Sequence, residues 1–222
     1  MTCKDWEHLR DLGAFWLNYD RMLELKKFCC ERNDRVLFKN FSLSVEAGDI
    51  VQICGSNGSG KTSLLRAVCG LNDSFTGEVF WNGMLRDTDI ESFRNELLFL
   101  GHRVGLNKLL SPIENLKWST GGKINWSEKD MLQALSRNGL QGYEFQPCFL
   151  LSAGQQQRAA LARLLIAEEL MWVLDEPFNA LDTQAVDMLE VVMGDHAKKG
   201  GIVLVTTHHR LKIPGLRTVD LS

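Results

Sequence analysis

Ile50-Val51-Gln52-Ile53-Cys54-Gly55-Ser56-Asn57-Gly58-Ser59-Gly60-Lys61-Thr62-Ser63 is the stretch on which the fold turns. Its first five residues form a short apolar run, bounded by glycine, of the kind found in strands buried on both faces. The next eight match G-x-x-x-x-G-K-[ST], and the chain then reads as a helix with Leu64, Leu65, Val68 and Leu71 on one face. Strand, glycine loop and helix in that order form a phosphate cradle. Gly55, Gly58 and Gly60 let backbone N–H groups curl around a β-phosphate together with Ser56, Asn57, Ser59 and the following Ser63. The helix N-terminus adds positive potential. Lys61 is expected to bridge the β- and γ-phosphates, and the Thr62 hydroxyl to ligate Mg²⁺.

On either side of this loop, residues 23–29 read as a strand, and 36–45 alternate apolar and polar side chains with the period of a half-buried strand. Residues 78–81 and 97–100 read as further strands, the first followed by an Asn82-Gly83 hairpin signal. From about residue 104 to 150 the composition changes to helical patches with Trp118, Trp126 and a Gly121-Gly122 break, and a mainly helical insert is expected over about 104–158. A helix over 159–168 follows. Two apolar runs, 170–174 and 202–205, read as core strands separated by a helix over 185–196. Strands alternating with helices imply a mostly parallel sheet.

The first of those two runs continues as Leu170-Met171-Trp172-Val173-Leu174-Asp175-Glu176, which sets two carboxylates at the C-terminal end of a buried strand, the edge where open α/β sheets bind ligands. Asp175 is expected to hold Mg²⁺, directly or through water. Glu176 then remains to polarise the water that attacks a γ-phosphate, because a metal-held carboxylate cannot also act freely as a base. Strand 202–205 ends in Thr206-Thr207-His208-His209, which brings a histidine to the same edge.

Composition limits the alternatives. With 222 residues, 24% charged and 45% hydrophobic, the chain suits one α/β domain. No run approaches the roughly 18 apolar residues of a membrane span, and residues 12–17 are too short for a signal peptide. A net charge of -3 offers no basic field for nucleic acid. The six cysteines show no C-x-x-C spacing and are expected as reduced thiols; the adjacent Cys29 and Cys30 leave metal or haem-like ligation as the alternative. Residues 1–21 differ in character from the remainder of the chain and are expected as an N-terminal extension, for which an upstream start codon is one explanation. Residues 22–222 are expected as a single domain.

Leu151-Ser152-Ala153-Gly154-Gln155-Gln156-Gln157-Arg158 has the S-x-x-Q form of a capping box, with Ser152 as N-cap and Gln155 at N3. Beside the phosphate loop and Asp175-Glu176 it resembles the signature segment of ABC-type transport ATPases, with Ala153 in place of the usual first glycine. The resemblance implies the P-loop NTPase fold of ABC-cassette type: an α/β domain with a mostly parallel core sheet, an antiparallel β part and a helical insert subdomain. It also implies a head-to-tail homodimer in which Ser152, Ala153, Gly154 and Gln155 close on the ATP bound by a second copy. His208 corresponds to the switch histidine at the γ-phosphate and attacking water, with Glu176 as base. Asn179-Ala180-Leu181-Asp182 resembles the dimer-contacting loop, with Asp182 directed to the opposite site.

Two positions depart from the general pattern. Where most members carry a metal-sensing glutamine, counting back from Glu114 arrives at His102, followed by Arg103; a histidine can ligate metal and an arginine cannot. Where many members stack an aromatic ring on adenine, the matching residue is Arg32, whose planar guanidinium can stack on the base or remain a solvated surface charge.

Cys30-Glu31-Arg32, Asp34-Arg35, Gly101-His102, the Leu-Ser-Ala-Gly-Gln form, Asp175-Glu176-Pro177-Phe178 and Thr206-Thr207-His208 together resemble the ATP-binding subunit of the haem exporter of cytochrome c maturation. That implies integral membrane subunits as partners, haem or a haem chaperone engaged indirectly, and a peripheral position on the cytoplasmic face of the inner membrane. The competing expectation is the ATPase subunit of a different small-molecule transporter. A soluble ABC ATPase acting on DNA or ribosomes would carry coiled-coil insertions or a second cassette, and a non-catalytic regulatory subunit would lack Glu176 or His208.

Overall fold

The apolar runs of the sequence become two sheets of different kind. The computed structural model describes residues 21–32, 35–72, 75–102, 105–119 and 126–221. In chain order these form strands β1 (Arg21–Arg32), β2 (Arg35–Glu46) and β3 (Ile50–Cys54), helix α1 (Lys61–Val68), strands β4 (Phe75–Trp81) and β5 (Met84–Leu85), and helix α2 (Ile90–Asn95). Strand β6 (Leu97–Leu100) and helices α3 (Pro112–Ser119), α4 (Glu128–Arg137) and α5 (Ala153–Leu161) follow. Strand β7 (Met171–Asp175), helix α6 (Thr183–Lys198) and strands β8 (Ile202–Thr206) and β9 (Arg217–Asp220) complete the chain.

Five strands form a parallel sheet in the order β6-β7-β8-β3-β9, and four form an antiparallel sheet in the order β2-β1-β4-β5. Every residue of β7 and β8 is buried, as a central parallel strand covered on both faces requires. One core packs Leu23, Leu25 and Val45 of the antiparallel sheet with Ile53, Val173 and Leu204 of the parallel one and Leu64 and Leu65 of α1. A second core fills the opposite face of the parallel sheet, where Leu189 and Met193 of α6 meet Trp172, Leu174 and Val203. A third, smaller core joins α3, α4 and α5 through Ile113, Leu116, Leu135 and Ala159. The expected parallel sheet, antiparallel part and helical segment are therefore all present.

Register decides where the chemistry sits. Ile53 lies opposite Thr206 across β3 and β8, and Asp175 lies opposite Thr206 across β7 and β8. The phosphate loop, Asp175-Glu176 and the Thr206-to-His208 segment thus leave the sheet at one edge.

Two local expectations are corrected. Leu71 does not extend the apolar face of α1: the helix stops at Val68, the chain turns through Gly70 at φ +67°, and Leu71 is exposed. The tail of α1 is instead held by the buried Arg86, whose guanidinium donates to the carbonyls of Ala67 at 2.5 Å and Val68 at 3.1 Å. The helix expected over 159–168 begins earlier, at Ala153, and its α-helical part ends at Leu161; a 3₁₀ turn runs over Ala162–Leu165. The tightening serves two cores, sending Leu164 toward the sheet and Ala162 toward the helical segment. Residues 1–20 of the expected extension lie outside the described residues, and Arg21 opens β1.

His196 of α6 stacks on Trp172 with ring centroids 3.8 Å apart, and its Nε2 lies 3.1 Å from the Leu170 carbonyl oxygen. Burial holds its pKa below the ordinary imidazole value of 6.5, so the folded state keeps the ring neutral while the unfolded chain takes up a proton. Stability should therefore fall as pH drops through the unfolded value, with lower urea midpoints at about pH 5.5 than at about pH 7.5. His196→Gln should reduce that difference; an unchanged difference would contradict a neutral buried ring.

Candidate active site

Glycine conformation shapes the loop between β3 and α1. Gly55 has φ +145°, and a Cβ there would meet Ser59 Oγ at 2.5 Å; Gly60 has φ +102°, and a Cβ there would press on Leu37 and Phe38 at 3.1 Å. Gly60 is the N-cap of α1 and supplies no side-chain cap, and no acidic residue stands in the first turn, so the helix presents its positive end to whatever fills the loop. Lys61 Nζ folds back over the loop, donating to the carbonyls of Gly55 at 2.7 Å and Ser56 at 3.0 Å.

Across the loop, Asp175 is buried at 2% exposure. Its Oδ1 accepts from the Thr206 hydroxyl at 2.7 Å and from the Thr62 hydroxyl at 3.2 Å. Its Oδ2 is buried without a hydrogen-bond partner among the described residues, and so is Ser59 Oγ within the glycine loop. A buried carboxylate oxygen left without a partner is costly. A divalent cation or its water would satisfy it. Two hard oxygen donors, Thr62 and Asp175, suit Mg²⁺ that takes its remaining ligands from water and phosphate. No group of three His, Cys, Asp or Glu residues set to hold a metal occurs among the described residues. No disulfide joins the described cysteines.

Glu176 follows in the left-handed region at φ +54°, half-buried. Its N–H donates to both the carbonyl and the hydroxyl of Thr206, at 3.0 and 3.1 Å. His208 Nε2 lies 3.6 Å from Glu176 Oε1, with the ring two-thirds exposed. A cleft of about 380 Å³ brings Lys61, Thr62, Asp175, Glu176, His102 and His208 together, with Asn57, Gly58, Gly60 and Ser63 on its phosphate-loop wall. His102 therefore reaches the same space as the two carboxylates, while Arg103 lies outside the described residues. His209 turns elsewhere, 3.6 Å from Glu190 and stacked on Phe178.

Ser63 also lines a second hollow of about 270 Å³, with Cys30, Glu31, Thr62 and Arg66. Arg32 ends β1 beside it, but its side chain lies outside the described residues.

The capping segment is elsewhere. Ser152 Oγ accepts from Gln155 N at 3.2 Å and Gln155 Oε1 accepts from Ser152 N at 2.9 Å, the reciprocal bonds of a capping box. None of Ser152, Ala153, Gly154 and Gln155 lines the 380 Å³ cleft. The segment packs instead on the loop after Glu176: a Cβ on Gly154 would stand 2.9 Å from the Ala180 carbonyl, and Gln157 Nε2 donates to the Pro177 carbonyl at 2.8 Å. Asp182 caps α6 by accepting from Ala185 N at 2.9 Å, which is the first cause holding its carboxyl below the usual range, and it pairs with Arg158.

Thr206 and Leu37 are the site residues that motif reading missed. Thr206 was legible in principle, because β7 and β8 are neighbouring apolar runs whose ends coincide.

A family model described as "ABC transporter" matches residues 38–179. The chain belongs to the ABC transporter family. It is an ATP-binding subunit of that family, an ATPase coupled to transport. It is 48% identical over 202 residues to the cytochrome c biogenesis ATP-binding export protein CcmA of Hahella chejuensis, covering 90% of this chain and 96% of that one. The protein of the same name from Saccharophagus degradans is 46% identical, covering 89% and 92%. Among solved structures, a putative ABC transporter ATP-binding protein from Pyrococcus furiosus superposes with TM-score 0.78 at 22% identity, over 90% of this chain and 96% of that one. A dimeric ATP-binding cassette in a post-hydrolysis state with ADP and Pi gives TM-score 0.73 at 26% identity, over 85% and 88%.

In this ABC subunit, Lys61→Ala removes the ammonium from the phosphate loop. ATP affinity, measured by equilibrium binding at constant ionic strength, should fall by about 10- to 100-fold, the effect of losing a hydrogen bond to a charged group. Full affinity in the variant would contradict a phosphate-binding loop.

Proposed function

We propose that this chain is the ATP-hydrolysing subunit of the haem exporter of cytochrome c maturation, coupling hydrolysis to haem delivery or to release of a haem-carrying chaperone. The observation that carries the reading is the 48% identity, over nearly the whole of both chains, to a protein named for cytochrome c biogenesis and export.

The chemistry follows from the cleft. Gly55, Ser56, Asn57, Gly58, Ser59, Gly60, Lys61, Thr62 and Ser63 bind the phosphates through backbone amides, hydroxyls and one ammonium. Thr62 and Asp175 hold Mg²⁺, with His102 at the same cleft wall; the cation supplies charge neutralisation at the phosphate oxygens. Glu176 takes the proton of the attacking water, and His208, 3.6 Å from Glu176, orients that water and the γ-phosphate. Arg32 is assigned to the adenine ring, on which a planar guanidinium can stack.

A single copy supplies half of what hydrolysis needs. Ser152, Ala153, Gly154 and Gln155 form an anion-ready helix N-terminus that lies outside the cleft of their own chain, which supports a head-to-tail pair in which each signature segment closes on the other copy's ATP. Asp182 stands at that interface. The dimeric relative with ADP and Pi supports the same assembly.

Integral membrane subunits complete the transporter. The support is a hollow of about 190 Å³ between the end of β6 and the helical segment, lined by Phe99, Gly101, Leu106, Trp118 and Arg163, with Trp118 71% exposed. No helix among the described residues is long and apolar enough to cross a membrane. A peripheral position on the cytoplasmic face of the inner membrane belongs to the same proposal. Residues 22–222 form one ATP-binding domain in this reading, with a helical insert over about 104–158 and an extension over 1–21.

Haem staining of c-type cytochromes in cells lacking the gene tests the assignment. Covalent haem should disappear and return with the wild-type chain. Unchanged staining would leave an ABC ATPase and remove the haem assignment.

A further inference from the structure

We propose that Thr206 is the positioning residue of the site, a buried hydroxyl that holds the metal-binding carboxylate and the backbone of the base in one arrangement. The inference rests on the roles given above to Asp175 and Glu176, and concerns a fully buried residue that does not itself line the cleft.

Thr206 ends β8 directly opposite Asp175 in the parallel register and is 0% exposed. Its hydroxyl has one proton and two lone pairs. The proton goes to Asp175 Oδ1 at 2.7 Å, and a lone pair receives Glu176 N–H at 3.1 Å, so the group is satisfied on both sides. The same N–H is shared with the Thr206 carbonyl at 3.0 Å. One residue therefore grips two consecutive residues of the neighbouring strand end.

Each grip has a consequence. Fixing Oδ1 selects the rotamer of Asp175 and leaves Oδ2 as its one oxygen without a partner among the described residues, free to meet a cation. Thr62 also donates to Oδ1, at 3.2 Å, and can keep that proton there while its oxygen lone pair turns to the cation. The second grip stabilises Glu176 at φ +54°, a conformation unfavourable for a non-glycine residue and one that persists where surrounding bonds over-determine it. Valine at position 206 would keep the shape and β-branching that suit a strand while deleting both side-chain bonds.

The test compares the full wild-type chain with Thr206→Val and Thr206→Ser. Binding of the non-hydrolysable analogue AMP-PNP is measured with Mg²⁺ and with a chelator, alongside Mg²⁺-dependent hydrolysis and the unfolding midpoint. The wild type should bind more tightly with Mg²⁺. Thr206→Val should retain the Mg²⁺-free affinity, lose most of the Mg²⁺-dependent gain and lower kcat by roughly 10- to 100-fold, the scale set by stranding buried polar partners. Thr206→Ser, which restores the hydroxyl, should recover both. In an Asp175→Asn background, Thr206→Val should produce no further loss of the Mg²⁺-dependent gain. If the valine variant does not fold, Thr206→Cys, with a weak donor of similar size, replaces it and should give an intermediate gain.

An undiminished Mg²⁺-dependent gain and kcat in Thr206→Val would overturn the proposal. Equal loss of Mg²⁺-free affinity, or a loss persisting in the Asp175→Asn background, would also overturn it by assigning Thr206 a general structural role. A wild-type chain showing no Mg²⁺-dependent gain would instead defeat the metal role of Asp175, a separate failure.

Discussion

The parallel register of three neighbouring strand ends, two of them tied by one buried hydrogen bond, sets the geometry of the cleft in this protein. Strands β3, β8 and β7 stop together, and the Thr206 hydroxyl ties the last residue of β7 to the last of β8 at 2.7 Å. A slip of one residue in a parallel pair would turn Asp175 to the other face of the sheet and separate it from Thr62. The register is protected by burial: every side chain of β7 and β8 is enclosed, so a slip would misplace two apolar layers at once. The sheet is thus both the core and the ruler that spaces the residues lining the cleft.

From that edge the charge arrangement follows. The glycine loop and the N-terminus of α1 offer amide hydrogens and positive potential on one side, and Asp175 and Glu176 offer carboxylates on the other. Phosphate and cation satisfy both sides together, which is why a cleft with opposed charge and an orphaned carboxylate oxygen reads as a site for a metal-nucleotide pair rather than for either alone. The signature helix is linked to the same edge indirectly, because Gln157 bonds Pro177 and Arg158 pairs with Asp182. The Arg158–Asp182 pair is partly exposed, so its contribution is small in energy; it joins the helix that follows Ser152 to the end of the loop after Glu176.

Much of this was legible from residue patterns because it is local. The bounds of β3 and β6 agree with the apolar runs that mark them, and the S-x-x-Q pattern at Ser152 and Gln155 forms both reciprocal bonds. Asn82 and Gly83 both take positive φ, as a tight hairpin between β4 and β5 requires. What escaped depends on partners distant in sequence. The order β2-β1-β4-β5 is set by pairing across the chain and not by alternation within a strand. The switch of α5 to a 3₁₀ turn reflects competition between two cores, and Leu71 fell out of its helix because Gly70 turned the chain. Thr206 resembles any threonine closing an apolar strand until Asp175 is set beside it.

Glu176 is, on this reading, the base of a nucleotide site whose binding parts are separate from it, and every other role given to the cleft depends on that separation. Replacing Glu176 with Gln and measuring ATP binding and steady-state hydrolysis on the same preparation examines both halves at once. ATP should bind as in the wild type while turnover falls by about 10²- to 10⁴-fold, the contribution of a positioned general base. Near-normal turnover by Glu176→Gln would contradict it.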